Sequence, residues 1–157
     1  MARDPEARLA ELGLQLPEAP APAGSYVPAT RSGNLVFTAG QLPLEGGELT
    51  LRGKVGDAVQ LDAAREAARL CALNALAAAA TETGGLAGIS RIVKVTGYVA
   101  SAPGFNDQPQ VLNRASELLG EVLGDAGLHA RSAVGVAELP MDAPVEVELV
   151  IEASPDA

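Results

Sequence analysis

Histidine and cysteine are almost absent from this chain, and their scarcity excludes several kinds of site. The 157 residues include one histidine, His129, and one cysteine, Cys71. Zinc and iron centres need clusters of such ligands, and a histidine-based triad needs a histidine beside its nucleophile. We therefore predict no metal site and no triad. Cys71 lies among alanines at helical spacing, which is typical of a small buried side chain.

The chain also lacks the features of an exported or membrane protein. A single cysteine cannot form an intramolecular disulfide, the first residues do not form a basic and apolar leader, and no apolar run approaches membrane-spanning length. We expect a cytoplasmic protein with no membrane partner.

Basic side chains are few relative to acidic ones. Lysine and arginine number 11 against 20 aspartate and glutamate, which gives a formal net charge of -9. Such a charge repels phosphate backbones, so we expect no nucleic-acid partner. Hydrophobic residues make up 48% of the chain, enough for one domain with its own core.

Proline, glycine and hydrophobic spacing divide the chain into elements. Prolines at 17, 20 and 22 indicate a stiff connector, so we separate an N-terminal helix and connector, residues 1–23, from a main domain, residues 24–157. Gly46 and Gly47 predict a turn, Asp4 and Asp62 helix N-caps, and Gly84 and Gly124 helix ends. Helices are predicted at residues 4–14, 61–82 and about 106–123, and strands around Tyr26 and Val27 and at residues 34–39, 48–51 and 89–100.

The last two strands alternate with period two and are separated by a proline-containing loop. Residues 131–140 and 145–151 therefore predict an antiparallel hairpin. One face is predicted to be core: Ser132, Val134, Val136, Val147, Leu149 and Ile151. The other carries charges beside small residues: Arg131, Ala133, Gly135, Ala137, Glu146, Glu148, Val150 and Glu152. The whole order predicts an α+β fold, with two helices on one face of a mixed six-stranded sheet.

Two helices leave the second face of such a sheet uncovered. Because that face is predicted to carry small and apolar side chains, the simplest solution is a closed homo-oligomer that buries it. The alternative is a monomer whose second sheet face is solvated.

Arg131 and Glu146 are the residues with the clearest chemical potential. Arg131 opens a strand of small residues, where it either holds a carboxylate in a bidentate fork or forms a surface pair with Glu152. Glu146 is either functional or part of a solvated strand edge. In the predicted hairpin the two lie about 20 Å apart, so a site that contains both must be built between subunits.

Two motifs resemble the RidA family, also called YjgF-like and often labelled endoribonuclease L-PSP. Residues 131–140 with 145–148 resemble its C-terminal signature, and residues 33–41 resemble its second motif. Tyr26 falls where the family has a pocket tyrosine. The resemblance covers about residues 24–151 and marks the chain as a divergent branch, because Ala39 and Ala133 stand where other members have serine and cysteine.

The resemblance implies a chorismate-mutase-like subunit, βββαβαββ, assembled as a homotrimer with clefts between subunits. It implies cofactor-free hydrolysis of reactive 2-imino or 2-enamino acids to 2-keto acids and ammonia. Arg131 matches the arginine that grips the substrate carboxylate, and Glu146 the acidic residue associated with the water. Tyr26, Ala39, Gly40, Asn113 and Ala133 match positions at the substrate pocket.

Two other functions stay open at this point. A noncatalytic trimer could bind small carboxylates or a partner protein through the same clefts. RNA cleavage follows only from the family's older label, and the acidic balance and the single histidine disfavour it.

Overall fold

The computed structural model describes residues 3–19, 21 and 24–157, and these form an α+β fold, as predicted. Short 3-10 turns connect some of the elements. In chain order the helices and strands are α1 (Pro5–Glu11), β1 (Ala29–Ser32), β2 (Leu35–Thr38), β3 (Leu44–Glu45), β4 (Glu48–Leu49), α2 (Leu61–Thr83), β5 (Ile89–Ala100), α3 (Gln108–Leu123), β6 (Ala130–Val136) and β7 (Val145–Ala153).

Five of the strands form the main sheet, in the order β1-β2-β7-β5-β6, and β3 and β4 form a separate two-stranded ribbon. The prediction of one six-stranded sheet is therefore wrong in this detail. The ribbon turns at Gly46 and Gly47, both with positive φ, as predicted. The strand predicted around Tyr26 and Val27 does not form, because Pro28 follows and has no N–H to donate to a ladder.

The predicted C-terminal hairpin is also wrong, because β5 lies between β6 and β7. β5 pairs in parallel with β6 on one side and antiparallel with β7 on the other. The segment β5-α3-β6 is a crossover unit, which returns the chain beside β5 in the parallel direction. β7 then occupies the free edge of β5 and also pairs with β2.

In this strand order, the residues of β6 that were predicted to face the core lie on the side away from the helices. The residues predicted to face outward lie on the helix side. Val95 of β5 is buried and lies across from both Arg131 and Leu149, so Arg131 is on the side of the sheet that the helices cover. Val134 lies on the opposite face and is 44% exposed, contrary to its predicted place in the core. The core prediction is confirmed for β7, where Val147, Leu149 and Ile151 are buried.

Both long helices pack on this one side of the sheet. α2 approaches β7 closely through a row of buried alanines, and Gly97 lets Leu112 of α3 pack directly on β5, because a Cβ at Gly97 would overlap the leucine side chain. The helix bounds follow the prediction at Gly84, which ends α2 with φ 71°, whereas Gln60 and not Asp62 is the N-cap.

The N-terminal helix α1 packs against the body of the fold. Asp4 caps it through a hydrogen bond from the N–H of Glu6, as predicted, and Leu9 is buried in the core. Arg8 donates to the carbonyl of Glu121 in α3 (3.1 Å), and Glu6 accepts from the N–H of Leu86 (3.2 Å). The predicted boundary at residues 23 and 24 adjoins residues outside the described ones and stays a prediction.

The sheet face opposite the helices carries exposed apolar side chains. Leu35 and Phe37 of β2 are 38% and 41% exposed, and Val134 on β6 adds a third such residue. Because Phe37 lies directly across from the half-buried Val150, the apolar surface continues from β2 onto β7. Below, this surface is called the outer face.

Candidate active site

Arg131 is fixed against α3 by three hydrogen bonds. Its Nη1 donates to Oδ1 of Asn113 (3.0 Å) and to Oγ of Ser116 (3.1 Å), and its Nη2 donates to the carbonyl of Pro109 (3.3 Å). The three acceptors follow one another at helical spacing, so they form one stripe on α3 that faces β6. The guanidinium is therefore held in one orientation beside an exposed strand.

These contacts leave one side of the guanidinium unused. The two hydrogens of Nη1 have acceptors, whereas among the described residues Nε has none and Nη2 has one. Nε and Nη2 present the pair of parallel N–H groups that matches the two oxygens of a carboxylate. Since β6 is the last strand in the sheet, Arg131 lies at an open edge.

Glu146 lies on the outer face of the sheet, directly across from Tyr98 of β5. Burial raises the pKa of Glu146 above its ordinary value, and the negative charge of Glu148 raises it further. Glu148 is in turn held by the hydroxyl of Tyr98, which donates to it at 2.6 Å. This hydrogen bond is the main reason that the pKa of Tyr98 rises to about 12. A half-buried carboxyl with a raised pKa is suited to accept and return a proton.

Gly40 packs its backbone directly on the carboxyl of Glu146. The main chain of Gln41 exchanges two hydrogen bonds with Val147 (2.8 and 3.0 Å), which brings Gly40 over the neighbouring side chain. A Cβ at Gly40 would overlap the carboxyl group of Glu146. Ala39 precedes it and is anchored by a bond from its N–H to the carbonyl of Pro28 (2.8 Å).

The described residues thus contain two separate groups, which we call the arginine half and the glutamate half. The arginine half comprises Arg131 with its three acceptors on α3, and the glutamate half comprises Glu146, Gly40 and Ala39. The two halves lie on opposite faces of the same sheet. The hairpin register that placed Arg131 across from Glu152 is wrong, because Glu152 lies across from Leu35 and Arg91 instead.

The remaining predicted pocket residues are distributed between these groups and the surface. Asn113 belongs to the arginine half, and Ala133 lies on the same strand as Arg131, packed against the core. Tyr26 is 52% exposed on the segment before β1.

Sequence reasoning missed Ser116, which accepts from Arg131, and His129, whose Nε2 lies 2.9 Å from the Ser116 hydroxyl oxygen. Their spacing from Asn113 and Arg131 matches no motif, and only the helical stripe that begins at Pro109 could have indicated Ser116.

The architecture agrees with known proteins. A family model described as "YjgF/chorismate mutase-like, putative endoribonuclease" matches residues 6–153. The chain belongs to this YjgF/chorismate mutase-like family. A crystal structure of a protein of unknown function from Agrobacterium tumefaciens is 46% identical, with a TM-score of 0.89, and the match covers 96% of this chain and 93% of that one.

Two similar proteins give information on the chemistry of such a site, one through its name and the other through a bound ligand. A protein named 2-iminobutanoate/2-iminopropanoate deaminase from Dermatophagoides farinae is 30% identical over 138 residues, 88% of this chain and 93% of its own length. The structure of E. coli TdcF, determined with bound serine, is 28% identical with a TM-score of 0.65, over 87% of this chain and 94% of that one. The family match confirms both the resemblance found in the sequence and the chorismate-mutase-like fold.

The described part of this YjgF-family chain has neither a metal-binding cluster nor a membrane-spanning helix. Within residues 3–19, 21 and 24–157, no three histidine, cysteine, aspartate or glutamate side chains converge to hold a metal ion. No helix in the same residues is long and apolar enough to cross a membrane.

The contact between Gly40 and Glu146 predicts a strong effect of one added methyl group. We expect Gly40→Ala to displace the Glu146 carboxyl, and because this carboxyl is the far end of a flexible, half-buried side chain, the free energy of unfolding should fall by only about 1 kcal/mol, the low end of the cost of overpacking. Urea unfolding measures this. Gly120→Ala is the matched control, because its Cβ meets open space on α3 and should leave stability equal or slightly higher. A Gly40→Ala variant as stable as the parent would contradict the contact.

Proposed function

We propose that this protein hydrolyses small 2-imino or 2-enamino acids to 2-keto acids and ammonia, without a cofactor, in clefts between subunits. The observation that carries the proposal is the Nε and Nη2 side of Arg131, where among the described residues only one of the three N–H groups has an acceptor, while Asn113, Ser116 and Pro109 hold the guanidinium in place. A 2-imino acid presents a carboxylate to this fork. The name of the D. farinae relative supports this choice of substrate class.

Glu146 supplies the proton transfers in the proposed reaction. The oxygen of a water molecule bonds to C2 of the imine and one of its protons passes to Glu146, while the C=N electron pair moves to nitrogen, which takes up a proton from solvent. Glu146 then returns its proton to this nitrogen, the hydroxyl releases its proton to solvent, the C–N bond breaks with its electron pair on nitrogen, and the C=O bond of the keto acid forms as ammonia leaves. An imine is already electrophilic, so positioning and modest acid–base assistance suffice.

A cleft that contains both the arginine half and the glutamate half must obtain them from two different chains. Arg131 and Glu146 lie on opposite faces of one sheet, so the carboxylate-binding group and the proton-transfer group of one cleft belong to neighbouring copies in this proposal. The apolar outer face supplies a surface for that assembly, and the family resemblance points to a trimer. Ala39 and Ala133 bring neither hydroxyl nor thiol, so we expect a more apolar pocket wall than in members with serine and cysteine there.

A charge on the outer face should dissociate the proposed trimer. We expect the parent chain to elute as three copies in gel filtration with light scattering, and Phe37→Asp to elute as one, because a desolvated carboxylate at an apolar interface is costly. Ala63→Asp on the exposed side of α2 is the control and should leave the assembly unchanged. A parent chain that is a single copy at micromolar concentration would rule out the clefts.

A noncatalytic role has one observation in its favour. The arginine half is complete in one chain and is sufficient to bind a small carboxylate, whereas proton transfer needs the second half. A binding module would therefore retain affinity for 2-keto acids without accelerating any reaction.

Measurement of imine hydrolysis separates the two functions. An amino-acid oxidase generates 2-imino acids in the assay, and the rate of keto-acid formation is compared with and without the protein. We expect acceleration over the spontaneous reaction. Binding of 2-oxobutanoate by calorimetry without any acceleration would reject the enzyme and leave the binding module, and neither binding nor acceleration would reject both.

A further inference from the structure

Behind Arg131, a chain of hydrogen bonds continues away from the open edge. Ser116 Oγ, which accepts from Nη1 of Arg131 at 3.1 Å, also lies 2.9 Å from Nε2 of His129. Nδ1 of the same histidine lies 2.6 Å from the carbonyl of Gly127. Four groups are thus connected in series, from a guanidinium to a backbone carbonyl.

When the imidazole is neutral, the chemistry of these groups fixes the direction of every bond. A carbonyl oxygen only accepts, so Nδ1 of His129 carries the hydrogen. In a neutral imidazole Nε2 is then an acceptor, and the Ser116 hydroxyl must donate to it. The lone pairs of Ser116 Oγ are consequently left to accept from Arg131. Each donor in the series has one acceptor, with no conflict.

The far end of this series is rigid. Gly127 is buried at the turn after α3, and a Cβ there would overlap the carbonyl of Leu119, so only glycine fits this close approach to the helix. The carbonyl of Gly127 is therefore held against α3, and it holds the imidazole ring. Gly127 in this turn therefore orients His129, and His129 orients the Ser116 hydroxyl.

We propose that Ser116 and His129 are positioning residues for Arg131. They turn the guanidinium so that its Nε and Nη2 side points to the open edge and accepts the substrate carboxylate. The catalytic consequence of this inference rests on the proposed function. The hydrogen-bond series itself does not depend on that function.

The expected kinetic effect is on binding and not on chemistry. Arg131 holds the same carboxylate before and during the reaction, so loosening it raises KM and leaves kcat nearly unchanged. Loss of one charge-assisted hydrogen bond should raise KM, and the Kd for 2-oxobutanoate, by roughly tenfold. Ser116→Ala and His129→Leu should both show this. Because both side chains act through one series, the double variant should be no worse than either single one.

Conservative replacements distinguish positioning from general damage. Ser116→Thr keeps the hydroxyl, and His129→Gln places an amide oxygen where Nε2 accepts, so both should retain KM within about twofold. Thr81→Ala is the matched control, because it removes a serine-like hydroxyl that bonds only the carbonyl of Ala78 in its own helix. It should leave KM, kcat and Kd unchanged.

Nuclear magnetic resonance tests the series without any substrate. As the chain has one histidine, its imidazole nitrogens can be assigned directly, and we expect the tautomer with hydrogen on Nδ1 at neutral pH. The Nε–H signal that is lost in Arg131→Lys reports the order of Arg131. We expect that order to fall in Ser116→Ala and His129→Leu and to persist in Ser116→Thr and His129→Gln.

The two kinds of failure are distinguishable. Hydrogen on Nε2, or an Arg131 signal equally ordered in Ser116→Ala and His129→Leu, would overturn the positioning role whatever the protein catalyses. Wild-type affinity for 2-oxobutanoate in those two variants would also overturn it. If the tautomer and the changes in order are as expected but the parent binds no 2-keto acid, the series stands and the proposed function fails.

Discussion

Arg131→Ala is expected to abolish measurable imine hydrolysis and the binding of 2-keto acids, with little change in fold. A carboxylate held by two charge-assisted bonds gains about 1.5 to 3 kcal/mol from each, so their loss lowers kcat/KM by roughly two to four orders of magnitude. Arg131→Lys should recover only part of this, because an ammonium group cannot form the parallel fork and does not reach all three acceptors on α3.

The measurements are initial rates of keto-acid formation, calorimetry with 2-oxobutanoate, and urea unfolding. Arg65→Ala provides a matched control, because Arg65 also donates to a carbonyl of α3, that of Gln110 at 3.0 Å, yet lies on α2. We expect that control to retain parental kinetics. Parental turnover in Arg131→Ala would reject the role of this residue and with it the carboxylate site.

Glu146→Gln is expected to lower kcat by about 10²- to 10⁴-fold, the usual contribution of acid–base assistance, while KM for the imino acid changes little. The amide fills the same space over Gly40 but accepts no proton. The matched control is Glu152→Gln on the same strand and face, which should leave kcat unchanged.

The raised pKa of Glu146 also predicts how rate and stability depend on pH. The ionised form takes the proton from water, so kcat should fall as pH drops through a pKa above that of an ordinary glutamate, and this limb should vanish in Glu146→Gln. The folded state holds the proton of Glu146 more tightly than the unfolded chain does. The protonated carboxyl therefore stabilises the fold at low pH, and this stabilisation is lost as pH rises through the folded pKa.

Glu146→Gln should therefore unfold at a higher urea concentration than the parent at pH 7, and the gain should shrink toward pH 4. Urea titrations at the two pH values measure this. A variant that loses stability at pH 7 would show that the carboxylate is stabilised by its surroundings and would contradict the raised pKa.

The sequence predicted the elements well and their neighbours poorly. Gly84 and Gly124 end helices where expected, and β5 has the predicted bounds, because these features depend on local backbone chemistry. The order of strands was missed at β6 and β7, since a period-two pattern shows which residues share a face but not which strand lies beside them.

The small residues of β6 explain why its faces were reversed. Ala133 and Gly135 suggested a surface kept clear for another subunit. In the structure Ala133 packs against the core, and a Cβ at the exposed Gly135 would meet the Gln108 amide and the Ser101 hydroxyl. Arg131 and Glu146 were found as candidates, whereas Ser116 and His129 depend on contacts between separate elements that no linear spacing reveals.

The location of Arg131 and Glu146 on opposite faces of one sheet has a consequence for mixed populations of chains. In the proposed trimer each copy gives its cation to one cleft and its acid to the next. A copy defective in either group therefore disables a single cleft and leaves the other two intact. In a mixture of active and inactive chains, the hydrolysis rate would then fall in steps with the number of inactive copies in each trimer. An inactive chain would not inhibit the other clefts of the trimer that contains it.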